Sequence, residues 1–158
     1  MNVEAAFRPL SELEKSMAEL YYRWSELFDA DREAAFLWVK MGNEERAHAL
    51  LVDYQRRVIQ RNPALSGDVD IEMKSIDEAL AEVAAHRKAI LPPSLANAVA
   101  IAYRLETSAA ESHHRNATAS LNPELQRLLS NLGSEDRGHL ERLKSFAASR
   151  GFDLGTPR

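Results

Sequence analysis

The chain has 158 residues, 45% hydrophobic and 28% charged, with a formal net charge of -4 and a pI near 5.8, which leaves no basic footprint for nucleic acid. It contains no cysteine, which excludes disulfides, iron–sulfur clusters, thiolate zinc sites and catalytic thiols, so histidine and carboxylates are the available metal ligands. Six Gly and six Pro are too few for a turn-rich β protein, and the length suits one domain over 1–158. The opening MNVEAAFRPL lacks the basic-then-apolar pattern of a signal peptide, and no apolar run approaches the roughly 18 residues of a membrane span; a cytoplasmic protein with no membrane partner is expected.

Taken in chain order, a first helix is expected from near Ser11, after Pro9, carrying Leu13, Met17, Leu20, Tyr21, Trp24, Leu27 and Phe28 at helical spacing. Asp29 to Asp31 makes a short break. A second helix then runs from about Arg32 to Gln60 through Leu37, Met41, His48, Leu51 and Val52, ended by Asn62-Pro63. Pro63 to Asp70 has loop composition, and SIDEALAEVAAHRKAI from Ser75 reads as a shorter crossover helix stopped by Pro92-Pro93. Ser94 caps a third long helix that continues to about Ala119. Asn122-Pro123-Glu124 opens a fourth, through Leu128, Leu132, His139 and Leu143, that stops before Gly151. The sum is an all-α protein: an antiparallel four-helix bundle of two hairpins joined by a long crossover that holds its own short helix.

The two hairpins repeat each other. LEKSMAELYYR (Leu13 to Arg23) pairs with LETSAAESHHR (Leu105 to Arg115) at an offset of 92, and MGNEERAH (Met41 to His48) pairs with LGSEDRGH (Leu132 to His139) at an offset of 91. Glu14 thus recurs as Glu106, Glu45 as Asp136 and His48 as His139. In each half an acid stands three residues before a histidine, which puts both side chains on one helix face about 5 to 6 Å apart at Cβ. All six residues can face one centre. Four carboxylates there carry a charge that two divalent ions neutralise, and carboxylate with imidazole suits iron, manganese or zinc. Glu44 and Glu135 also repeat, each four residues before the histidine, as alternative ligands or exposed neighbours. Tyr21 and His113, seven residues after Glu14 and Glu106, lie two turns along the same inner face, where either can orient a ligand or serve packing alone. A blander reading of Glu14 is the capping box Ser11-x-x-Glu14.

In this order of residues, Glu14, then Glu45-Arg46-Ala47-His48, then Glu106, then Asp136-Arg137-Gly138-His139, the chain resembles the rubrerythrin-like branch of the ferritin-like di-iron superfamily over nearly its whole length. The resemblance implies terminal ligands at Glu14 and Glu106, bridging ligands at Glu45 and Asp136, and one imidazole per metal from His48 and His139. It also implies two iron ions that react with peroxide or dioxygen. Two departures stand out: Asp136 is one methylene shorter than the family's Glu, with Glu135 as a substitute, and without cysteine an external electron donor is required. Three functions compete: a di-iron peroxidase or ferroxidase, a non-enzymatic iron-binding or storage protein, and a bundle with a structural metal site. The tail from Gly151 to Arg158 offers no fifth helix, so a homodimer is expected in preference to a closed storage shell.

Overall fold

The computed structural model describes residues 3–62, 72–120 and 122–155, and over them the protein is all-helical, with no strand among the described residues. Five helices follow in order: α1 (Val3–Leu27), α2 (Arg32–Arg61), α3 (Met73–Lys88), α4 (Leu95–Ala119) and α5 (Pro123–Arg150). The loop expected over Pro63 to Asp70 lies outside the described residues.

The caps are largely those the sequence announces. Ser94 Oγ accepts from the Asn97 N–H at 3.2 Å, and Asn122 Oδ1 accepts from Glu124 and Leu125, with Pro123 at the first helical position of α5. Gly151 closes α5 in the left-handed region, at φ 66°, where a side chain would be strained. The start of α1 is a correction. It begins at Val3 and runs through Pro9, because the apolar stripe of Leu13 and Met17 continues upstream through Ala6, Phe7 and Leu10, each no more than 2% exposed. Burying a large apolar side chain contributes roughly 1.5 to 3 kcal/mol, and two of these residues offset the cost of a proline inside a helix, about 3 kcal/mol. Ser11 is therefore mid-helix, where its hydroxyl donates to Asp53 Oδ1 at 2.9 Å, and it caps nothing.

α1 packs along α2, and α4 along α5. Ser11–Asp53 and Tyr22–Asn43 set the antiparallel register of the first hairpin, and Glu106–His139 and His113–Asp136 that of the second. Across the hairpins α1 meets α4 through Tyr21–Glu106, and α2 meets α5 through His48–Glu135, again antiparallel. The directions of α2 and α4 consequently agree, so the connection between them must travel back along the bundle. α3 covers much of that return: its 16 residues span about 24 Å at 1.5 Å per residue, between α1 and α4. Ser75–Ser112 (3.0 Å) and Glu82–Arg104 (2.7 Å) hold it against α4.

The core is uneven along the repeat. Tyr21, Trp24 and Trp38, each at most 2% exposed, form a tight aromatic group with ring centroids 4.9 to 5.8 Å apart. Each such pair contributes about 0.5 to 1.5 kcal/mol beyond burial. The corresponding residues of the second half are His113, Asn116 and Leu129, so the duplicated hairpins are filled differently.

Candidate metal centre

The four long helices each turn a carboxylate toward a common interior, joined by histidines from α2, α4 and α5. Glu14 from α1, Glu45 and His48 from α2, Glu106 from α4, and Asp136 and His139 from α5 are all at most 2% exposed. Isolated charges so buried are costly, so their grouping needs compensation from one another or from a cation. Two groups of three form. One ligand atom each from Glu14, Glu45 and His48 lie within 4.8 Å of one another, as do those of Glu45, Glu106 and His139. Glu45 belongs to both groups. Its Oε2 is 3.3 Å from His48 Nδ1 and its Oε1 2.9 Å from His139 Nδ1. Glu14 Oε2 stands 3.4 Å from His48 Nδ1, and Glu106 Oε2 3.1 Å from His139 Nδ1. The two imidazoles lie nearly parallel, 5.6 Å between centroids.

Asp136 is in neither group. Its Oδ2 is 2.7 Å from Nδ1 of His113, whose Nε2 faces Glu14 Oε1 at 3.2 Å. The five other candidate residues are brought together, and the sixth pairs with a histidine that the sequence placed only on the inner face.

The surrounding contacts cross between the halves. Tyr21 of α1 donates to Glu106 of α4 at 2.5 Å, and its repeat mate His113 of α4 faces Glu14 of α1. Glu135 of α5 reaches His48 Nε2 at 2.6 Å, and Glu44 of α2 reaches His139 Nε2 at 3.0 Å. The alternative left open for Glu44 and Glu135 is thus resolved in geometry: neither sits among the buried carboxylates, and each meets the outer ring nitrogen of the opposite histidine. Arg142 holds Glu44 with two bonds, at 2.5 and 3.2 Å, and it has no counterpart in the first half, where Leu51 stands.

These groups shift one another's titration. Burial pushes the Glu45 carboxyl up to about 8, with the nearby Glu106 charge adding to it against the His139 and His48 bonds. Burial would also raise Glu14, but bonds from His113 and His48 outweigh it and hold that carboxyl well below the usual range. For the histidines burial favours the neutral ring, yet the carboxylates dominate: Glu14 and Glu45 bring His48 up to about 12, Glu106 and Glu45 bring His139 to about 11, and Asp136 and Glu14 bring His113 to about 10. Burial and the neighbouring Glu106 and Glu45 charges raise the Tyr21 hydroxyl, so it stays a donor. Protons and divalent cations therefore compete for the same atoms.

The donor set fits a metal. Among the described residues, Glu14 Oε1, Glu45 Oε1, His48 Nδ1 and His113 Nε2 are buried without a well-directed hydrogen bond, and each meets opposite charges of this cluster only as an ion pair at 2.9 to 3.4 Å. Buried polar atoms are otherwise almost always well bonded, and the two groups of carboxylate and imidazole here could each hold a metal ion. Oxygen with imidazole nitrogen suits iron, manganese or zinc. No family model, no curated protein and no solved structure matches the chain.

The crossing of Tyr21, His113, Glu44 and Glu135 is what residue spacing alone leaves undecided. Its signal is in the repeat nonetheless: each pair is related by the same offset as the acids and histidines it serves.

Proposed function

We propose that the chain is a ferritin-like, rubrerythrin-type di-iron carboxylate protein that reacts ferrous iron with peroxide or dioxygen, drawing electrons from an external donor. The observation that carries this reading is Glu45, whose two oxygens each face a different histidine, with Glu14 completing one group and Glu106 the other. Glu14 and His48 would hold one ion and Glu106 and His139 a second, with Glu45 shared between the two groups. Iron held there would supply the redox and Lewis-acid chemistry of the reaction. The chain's own residues do the rest. Tyr21 fixes the Glu106 carboxylate through its hydroxyl, and Glu44 and Glu135 fix the imidazoles by accepting from their outer N–H groups, which sets the tautomer that points Nδ1 inward. Trp24 and Trp38, both buried, pack against the Tyr21 ring and hold its hydroxyl toward Glu106.

A structural metal site is the second reading, favoured by the burial of every candidate ligand. Anaerobic titration of the metal-stripped protein with ferrous iron, followed by hydrogen peroxide or oxygen, separates the two. Two irons per chain and fast growth of ferric absorbance, both lost in Glu45→Ala with His139→Ala, support the di-iron reading. Stoichiometric binding with no oxidation leaves a structural site, and no binding refutes both.

A further inference from the structure

His48 and His139 share one arrangement: the outer ring nitrogen rests on a carboxylate, Glu135 or Glu44, and the inner nitrogen faces buried carboxylates of the metal groups. Metal-binding histidines are held in this way, with the second nitrogen bonded to a carboxylate that fixes the ring. Among the described residues, His113 alone of the remaining histidines also stands between an outer carboxylate and a carboxylate of the metal groups. Its two ring nitrogens are in exchanged roles, and Glu14 is its one inner contact. Its Nδ1 is 2.7 Å from Asp136 Oδ2, and its Nε2 is 3.2 Å from Glu14 Oε1. Both Glu14 Oε1 and His113 Nε2 are buried, and their contact is an ion pair without the direction of a hydrogen bond. Ligands about 2.1 Å from one ion and at right angles stand about 3 Å apart. The separation of 3.2 Å matches that, as do the 2.9 to 3.4 Å between His48 or His139 and their carboxylates.

Resting on the metal reading above, we propose that His113 is a third metal-binding imidazole and that Asp136 is its outer carboxylate, in the role Glu135 and Glu44 play for the other two histidines. Asp136 is then not a bridging ligand. Its short side chain is spent on His113, and Glu45 alone joins the two metal positions. The positions become chemically unequal. One, between α1, α2 and α4, offers Glu14, Glu45 and His48, which His113 would join through the second oxygen of Glu14 as another imidazole. The other offers Glu45, Glu106 and His139, with one imidazole and with Tyr21 in the place of His113. The imidazole-rich position favours the nitrogen-seeking ions later in the divalent series, and the carboxylate-rich position favours harder ones. The unequal filling of the repeat at Tyr21 and His113 is what makes two duplicated halves into two different sites.

The test is proton NMR of the full chain loaded with cobalt(II), comparing water with deuterium oxide. Every histidine bound to cobalt contributes one hyperfine-shifted exchangeable N–H signal, so the wild type is expected to show three and His113→Gln two. Asp136→Asn keeps the His113 ligand but loses its support, and about a 10- to 100-fold weaker cobalt affinity is expected at one position only. Two signals in the wild type, or a full set retained in His113→Gln, overturn the proposal while leaving the metal site standing. A wild type that takes up no cobalt overturns both. Because the wild-type count decides by itself, the test survives a His113→Gln protein that folds poorly.

Discussion

Glu45→Gln is expected to change the protein's stability in opposite directions with and without metal. In the metal-stripped protein the Glu45 carboxyl sits at about 8, against 4.5 in the unfolded chain, so at pH 7 folding must place a proton on a group that water would leave ionised. That costs about 3 kcal/mol, at about 1.4 kcal/mol for each pH unit between 4.5 and 7. Glutamine is neutral and nearly isosteric, so it removes the cost. It has one acceptor oxygen to offer His48 and His139, which faced two, and losing one hydrogen bond returns about 1 kcal/mol. The net gain is about 2 kcal/mol, or a rise in Tm of about 4 to 8 °C for a chain of this size. With metal present the order reverses. A ligand at 100 times its Kd stabilises by about 2.7 kcal/mol, and Glu45→Gln removes the one residue common to both metal groups. Calorimetry of both proteins, metal-stripped and with zinc or anaerobic ferrous iron, measures all four values. A metal-stripped Glu45→Gln that melts below the wild type, or one that keeps the full metal-induced rise, would refute the reasoning.

The pH dependence has a definite sign. His48 and His139 are raised in the fold, to about 12 and 11, so their stabilisation of the metal-stripped protein is complete below their unfolded values and is lost as pH rises through the folded ones. Glu45, raised to about 8 by burial, adds a cost that grows as pH rises from 4.5 to 8. Metal must displace those protons, so the rise in Tm on adding zinc is expected to grow between pH 6 and 8.5, and a constant increment would contradict it. Tyr21→Phe removes a buried donor and leaves Glu106 Oε1 without its hydroxyl partner, which is expected to cost about 1 to 3 kcal/mol by urea denaturation. Gly138 is exposed within α5 with nothing within 4 Å of an added Cβ, so Gly138→Ala, which copies its repeat mate Ala47, is expected to stabilise by about 1 kcal/mol. Gly42→Ala gains the same helical preference but meets the Tyr22 ring at 2.9 Å and the Ala18 carbonyl oxygen at 3.3 Å, and denaturation is expected to show no gain there.

Helix positions and the buried acids were legible because they rest on local signals. Asp31, Ser94 and Asn122 cap helices through side chains whose bonding needs only the next two or three residues. Glu14, Glu45, His48, Glu106 and His139 come together because period and repeat together put them on inner faces. Where α1 begins was not legible, since Pro9 is a strong local stop and only the packing of Phe7 and Leu10 against the rest of the bundle overrides it. Asp136 shows a different limit. Spacing puts it on the right face, yet which partner a short side chain reaches depends on a neighbouring helix, and His113 on α4 takes it. Arg142 is beyond sequence reading for a third reason: without a repeat mate, nothing in the chain marks it as the residue that holds Glu44.

The crossed contacts also explain why the site and the fold depend on each other. Within each hairpin the helices are joined by extensive packing, but α2 and α5 touch little. Apart from Arg150, which bonds Asp31 and Glu33 at the start of α2, their described side-chain contacts run through charged groups of the centre: Glu45 and Glu44 to His139, Glu44 to Arg142, and Glu135 to His48. α1 and α4 likewise meet through Tyr21–Glu106 and Glu14–His113. Each of these pairs takes one residue from each hairpin, so none can form until both hairpins are folded and docked. In the metal-stripped protein docking rests on protonated imidazoles between carboxylates, an arrangement that loses strength as pH rises. Two cations with four or more carboxylate and imidazole donors would replace those protons with bonds that span the hairpins. Metal is therefore expected to tighten the junction between the hairpins more than either hairpin itself. Amide hydrogen exchange should show it as slowed exchange along the facing sides of α2 and α5, with little change at the α1–α2 turn around Asp29. Protection spread evenly over all helices would mean that metal acts on global stability alone and that the junction is not its point of action.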